Sequence, residues 1–360
     1  MIDLSSILLN IAPVVYLLQV SAGFTLIVVG ILLFIVYYLQ EKERIAKTKK
    51  RLRHFYSNLI SEVSLCETDE EREEVLAQPY VQSIITKELS KGLGRKVLIK
   101  ELVKSKDSLT GDAAQNLRWL YEKLSLDKDS FKRFSSKKWH VKASGIQQLA
   151  EMGQAKYLVK IYRDTNSKNA FVRTEAQIAV VKLTGFKGLR FLNIVTHPIT
   201  QWQQLCLIDQ LKETDIDSEK IKAWLLSTNE TVVQFALRLI EVYKCHDLHD
   251  EAIACLEHKS AGIRIQALRA IKEVAIDASF NWLWPHFNRS TKQEQLLLVE
   301  IFAELATVES IRFLKSLHEF ADETIQRKAS ELLTTMNIET ANKSEQPLTY
   351  LLSPLQKQVV

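Results

Sequence analysis

The stretch Ile263-Arg264-Ile265-Gln266-Ala267-Leu268-Arg269-Ala270-Ile271 decides the fold, because an earlier stretch has the same form: Val172-Arg173-Thr174-Glu175-Ala176-Gln177-Ile178-Ala179-Val180. In each, an apolar residue stands four before a small one, and apolar residues follow three and four after it. That spacing puts them on one stripe of an α-helix. Working outward, the central place is taken by Ala143, Ala176, Cys206, Ala236, Ala267, Leu298 and Ala329, at gaps of 33, 30, 30, 31, 31 and 31 residues. Four residues before them stand Trp139, Val172, Trp202, Val232, Ile263, Glu294 and Ile325. Fixed self-similarity at that period marks stacked helical hairpins, each burying its apolar face only against its neighbours.

A second apolar run opens fifteen residues after the small position, at Leu158, Phe191, Ile221, Trp282 and Phe313. Each unit therefore reads as two short helices, and residues 110–336 as an all-α solenoid. Its first copy is degenerate, with Ala113, Leu117, Leu120 and Phe131 in register. The small residue lets neighbouring backbones approach; a bulky one overpacks, at about 1–3 kcal/mol. Leu298 departs from the rule, so a wider helix spacing is expected there.

With Val172-Arg173-x-x-Ala176 and Ile263-Arg264-x-x-Ala267 each followed by an apolar run and a second short helix, the array resembles HEAT repeats. Its unit length is similar to the short prokaryotic type, also found in phycobilin lyases. The resemblance implies that the helix carrying this pattern lines a concave face. The exposed positions of those helices would then include Gln203, Gln204, Gln234, Arg238, Arg269 and Lys272. Fold of this kind does not specify an activity.

The other strong signal lies near residue 1. No charge occurs from Val14 to Leu39, and eleven of the thirteen residues from Phe24 to Val36 are Leu, Ile, Val or Phe. Such a run favours the bilayer by roughly 3–7 kcal/mol, and residues 18–39 are long enough to span it as a helix. Asn10, Pro13 and Gln19 argue against a second span over residues 4–20, and residues 1–17 read as a non-cytoplasmic lead-in. A cleaved signal peptide fits poorly, since no Lys or Arg precedes the run and no A-x-A-like site follows. After the run come Lys42, Arg44, Lys47, Lys49, Lys50, Arg51 and Arg53 against Glu41 and Glu43. This bias places the chain as single-pass, with residue 1 outside and the repeats cytoplasmic. The basic residues are expected to set topology and touch anionic lipid headgroups. The compact repeats and single uncleaved anchor suit a bacterial inner membrane.

Residues 40–66 read as a basic juxtamembrane helix and 67–109 as a helical cap or spacer, introduced by the capping-box pattern Thr68-Asp69-Glu70-Glu71. Residues 337–360 read as a flexible polar tail with an apolar island at 347–355, a candidate docking peptide or a fold-back onto the last repeat.

Chemistry is sparsely marked. Four scattered cysteines make no disulfide framework. The cluster Cys245, His246, Asp247, His249, Cys255 and His258 has ligand residue types without zinc spacing. Its Cys255 falls at a core position, and the rest reads as an inter-helix turn. His-Glu-x-x-His, Gly-x-Ser-x-Gly and phosphate-loop patterns are absent. Trp282 falls on the buried register and Trp284 does not. No catalytic, cofactor or metal residue is assigned.

The reading that follows is a membrane-tethered cytoplasmic adaptor that binds a protein partner on the concave face of the array. Two other classes compete with it. A lyase-like enzyme of this fold would carry a chromophore or metal. A nucleic-acid binder needs a basic stripe, and the chain's net +5 is matched by residues 41–53 alone. Nucleic acid is therefore disfavoured unless Arg238, Arg264, Arg269, Arg312 and Arg327 share one face.

Overall fold

The computed structural model describes residues 4–211 and 215–343. Helix is the regular structure throughout, with no strand among the described residues. The chain divides into two compact units, residues 1–136 with 151–154, and residues 137–150 with 155–360.

The first unit holds α1 (Leu4–Ser64), α2 (Asp69–Ala77), α3 (Pro79–Leu89), α4 (Gly92–Lys106), α5 (Gly111–Lys123) and α6 (Leu126–Phe134). Helix α1 is one unbroken element that includes the lead-in from Leu4. Its backbone is helical from Leu4 through Pro13; proline removes one ladder bond, which an otherwise apolar helix tolerates. Its apolar stretch has a mean hydropathy of 2.5 and is not buried against protein, which makes it a candidate membrane span by length and composition.

The second half of α1 is no free stalk. Leu52, Tyr56, Leu59, Ile60 and Val63 are buried with Val81, Leu98, Leu102, Leu117, Leu120 and Tyr121 in one core. Residues 110–136, expected as the first repeat, belong to this unit. Helix α4 approaches closely: a Cβ on Gly94 would lie 2.2 Å from the Glu88 carbonyl oxygen and 3.2 Å from the Tyr56 hydroxyl. Thr68 caps α2 by accepting from the Glu71 N–H at 3.2 Å. The Glu71 carboxylate accepts from Glu67 N–H at 2.8 Å instead of closing the box on Thr68.

The second unit alternates first helices with shorter second elements. The first helices are α7 (Trp139–Glu151), α9 (Ala170–Thr184), α10 (Gln201–Asp209), α12 (Glu230–Tyr243), α14 (Ala261–Val274), α16 (Lys292–Leu305) and α18 (Glu323–Lys343). Between them come α8 (Leu158–Tyr162), α11 (Ser218–Leu225), α13 (His249–Ala254), α15 (Ser279–Leu283) and α17 (Val308–Phe320). Gly185–Asn193, Cys255–Glu257 and Trp284–Arg289 are 3₁₀ segments, so the second elements are tighter than two regular helices per unit. First helices pack on one another in series, α12 on α14, α14 on α16 and α16 on α18. Ala176, Ala236, Ala267 and Ala329 are fully buried between them, and so is Leu298. Helix α18 continues to Lys343, which corrects the expected tail from 337; the island at 347–355 lies outside the described residues.

Four of the first helices, α9, α10, α12 and α16, start on a side-chain cap. Asn169 accepts from Val172 N–H, and Asn229 from Thr231 N–H. Thr200 and Thr291 each make a full capping box, with Gln203 and Glu294. Caps pin the helix register, and this one shifts α10. Asn169, Asn229, Ser260, Thr291 and Asp322 stand seven residues before the buried small position, whereas Thr200 stands seven before Leu207. Leu207 is fully buried, Cys206 only partly, and Trp202 is 73% exposed. The expected register of the third copy was thus one residue out.

Candidate partner-binding groove

Three register positions recur on the exposed side of the first helices: five before, two before and two after the small residue. In α12, α14 and α16 they hold Thr231, Gln234 and Arg238, then Gly262, Ile265 and Arg269, then Gln293, Leu296 and Glu300, of which Gln234, Arg238, Gly262, Ile265, Arg269 and Gln293 face one space. These six, together with Gln201, Gln204 and Gln266, line one groove of about 200 Å³. Among the described residues no carboxylate lines it. Gly262 makes the space: a Cβ there would meet the Gln234 amide nitrogen at 2.8 Å.

The six residues expected on this face divide. Gln234, Arg238 and Arg269 lie in the groove as exposed or half-buried side chains. No hydrogen bond or ion pair joins them to another described residue. Gln204 lines the groove but is buried rather than exposed, donating to the carbonyls of Ile199 and Thr231 at 3.4 and 3.3 Å. In the corrected register it sits three before Leu207, as Arg173 and Arg264 sit three before their alanines. Arg173 donates to Ser167 O at 2.6 Å and Arg264 to His258 O at 2.9 Å, so all three tie the helix to the turn before it. Gln203 is also buried, held by its capping box and by Thr174. Lys272 is committed to Glu300 at 3.2 Å and Glu304 at 3.0 Å. Burial pulls its pKa down, but the carboxylates of Glu304 and Glu300 hold the ammonium above its usual range.

The stripe proposed for nucleic acid is broken in the same way, because Arg264 Nε donates to Glu294 at 2.8 Å. The basic run after the apolar stretch is also partly spent within the protein. Arg51 meets Glu88 at 3.2 Å and Arg53 meets Glu101 at 3.0 Å, while Arg44 and Lys47 pair with Glu41 and Glu43 along the helix. Lys42, Lys49 and Lys50 remain exposed.

Two further sequence expectations are corrected. Trp282 is 61% exposed; its neighbours Phe280 and Leu283 are the buried residues of α15. His249 is not a simple turn residue but is buried, with Nε2 2.7 Å from Ser279 Oγ and Nδ1 2.9 Å from Asp250. The trio has the residue types of a hydrolytic triad. Ser279 is fully buried, however, and its Oγ already accepts from Ile276 N–H at 2.9 Å, so it serves as a turn clamp with no approach for a substrate. No group of three or more His, Cys, Asp or Glu able to hold a metal occurs among the described residues. Burial pushes the Cys255 thiol up to about 11, in keeping with its core position.

The sequence reading missed the cap row and the groove's central feature, Gly262. The signal for the first was the recurrence of Asn, Ser, Thr or Asp seven before the small residue. The second leaves no trace in an apolar pattern.

No protein-family model matches this chain, and no curated protein matches it. Similar solved structures include two engineered proteins and an enzyme. One engineered protein is 14% identical over 81% of this chain and 96% of its own, with a TM-score of 0.37. Human deoxyhypusine hydroxylase, solved with glycerol, is 12% identical over 80% of this chain and 98% of its own, with a TM-score of 0.31. A second engineered protein is 14% identical over 71% and 95%, with a TM-score of 0.23. None of these likenesses carries a residue role or an activity to this chain.

Proposed function

We propose that this chain is a membrane-anchored adaptor whose HEAT-like array binds a protein partner along its first helices. The observation that carries the reading is the groove: Arg238 and Arg269 repeat in register on successive helices with Gln234 beside them, and neither ion pairs nor hydrogen bonds to described residues occupy the three. Arginines and tryptophans supply much of the energy at protein interfaces. The same face carries Phe171 and Trp202, five before the buried residue of their own helices and mostly exposed.

The exposed apolar stretch of α1 supports the anchor. Lys42, Lys49 and Lys50 support a single-pass arrangement with the repeats on the cytoplasmic side of an inner membrane, where they meet anionic headgroups. Tethering raises the local concentration of the array toward partners in the same membrane.

The test is capture of full-length protein from detergent-solubilised membranes after in-cell crosslinking, beside an Arg238→Glu/Arg269→Glu variant. The adaptor reading expects one dominant protein in the wild-type sample and its loss from the variant. Equal recovery from both, or a protein found only in the soluble fraction, contradicts it.

A further inference from the structure

Resting on that adaptor reading, we infer that the groove takes an extended, acidic segment of the partner, with two carboxylates seated on Arg238 and Arg269. The two guanidiniums occupy the same register position on neighbouring helices α12 and α14. Packed helices lie about 8–10 Å apart, and an extended chain advances about 3.3 Å per residue. The two carboxylates therefore stand two to three residues apart along the segment.

Three features of the lining select this occupant. No carboxylate among the described residues lines the groove beside the arginines. The amides of Gln201, Gln234 and Gln293 each offer a donor and an acceptor, which suits peptide backbone, and none is hydrogen-bonded to a described residue. On the side of Gln201, Trp202 is exposed for an apolar residue of the same segment.

A nucleic-acid strand fits less well. Only two unpaired cations line the groove, and the next positions along the face are Glu300 and Glu331. Lys272 and Lys328 are both spent on Glu300, at 3.2 and 3.5 Å, so the unpaired positive charge ends after α14, which suits a short acidic segment better than a continuous polyanion.

The experiment places a photocrosslinking amino acid at Gln293 or Gln201, on the groove's rim, in the full-length protein in cells, and maps the crosslinked residues by mass spectrometry. The expected result is a protein segment with two Asp or Glu two to three residues apart. Changing both of those to Lys should lower recovery by the wild type at least tenfold, because each charge-assisted contact contributes roughly a factor of ten or more. The same change should restore binding to the Arg238→Glu/Arg269→Glu variant. A crosslinked protein segment lacking paired carboxylates, or failure of the charge swap to restore binding, overturns this inference and leaves the adaptor reading standing. Crosslinks to nucleic acid alone overturn both.

Discussion

Arg264 on α14 donates from Nε to the carboxylate of Glu294 on α16 at 2.8 Å, and that carboxylate also accepts from the N–H of Thr291 at 2.7 Å. One acidic residue therefore closes the cap of its own helix and ties it to the preceding unit. This explains why a charge occupies a position that is apolar in the neighbouring units: the side chain is 2% exposed and both of its oxygens have partners. Removing Glu294 leaves a partly buried guanidinium and an open cap. Glu294→Ala should cost about 2–3 kcal/mol, while Glu294→Gln, which keeps the cap, should cost less. Chemical denaturation of the full-length protein in detergent reads the difference.

The cap-based register of α10 makes its own prediction. Leu207→Asp, Ala236→Asp and Ala267→Asp should each unfold the array, burying an unpaired charge at more than about 4 kcal/mol. Trp202→Ser should stay within about 0.5 kcal/mol, because the indole is mostly exposed. Thermal melts of the four variants separate this register from the one centred on Cys206.

Tyr56 gives the first unit an alkaline limit. Burial, with the Glu88 carboxylate adding to it, pushes the phenol from 10.0 up to about 12. A pKa raised on folding adds stability that is fully present below pH 10 and is lost as pH climbs toward 12, about 2–3 kcal/mol in all. The buried hydroxyl has no hydrogen-bond partner among the described residues, so Tyr56→Phe should be neutral or stabilising at pH 7. Circular dichroism from pH 9 to 12 should show the variant keeping helix to higher pH. Cys245 and Cys255, raised to about 11, act on the second unit in both proteins and cancel in the comparison.

Gly262 separates binding from folding. An added methyl displaces the Gln234 amide, a flexible group, and not the backbone. Gly262→Ala should leave stability unchanged or raise it by up to about 1 kcal/mol, since alanine is the better helix former. Partner recovery should fall, because the displaced amide fills the groove. A melt and a capture experiment on the same preparation check both halves.

How much of this was legible in the sequence depends on what the pattern encodes. Ala236 and Ala267 announced the array because a close helix approach demands a small side chain, and periodicity reports that demand directly. Trp202 and Trp282 misled because an apolar residue one position off the stripe looks buried until a cap or a turn fixes the helix phase. For Trp202 the missing information was Thr200. The groove was half legible: Gln234, Arg238 and Arg269 follow from register alone. Lys272 and Arg264 appear equally exposed in a linear pattern, and only packing brings Glu300, Glu304 and Glu294 to them. Leu52, Tyr56, Leu59, Ile60 and Val63 stand at helical spacing in the sequence, but the pattern does not name what they pack against, and only the fold brings Leu98, Leu102, Leu117 and Leu120 to them.

The most direct test of the account is an amide hydrogen-exchange footprint of the full-length protein in detergent, alone and with its captured partner. The account predicts added protection in the first helices that line the groove, α10, α12, α14 and the first turn of α16, with α15 and the first unit unchanged. Protection centred instead on Trp282 and Trp284, or confined to residues 52–134, would contradict it.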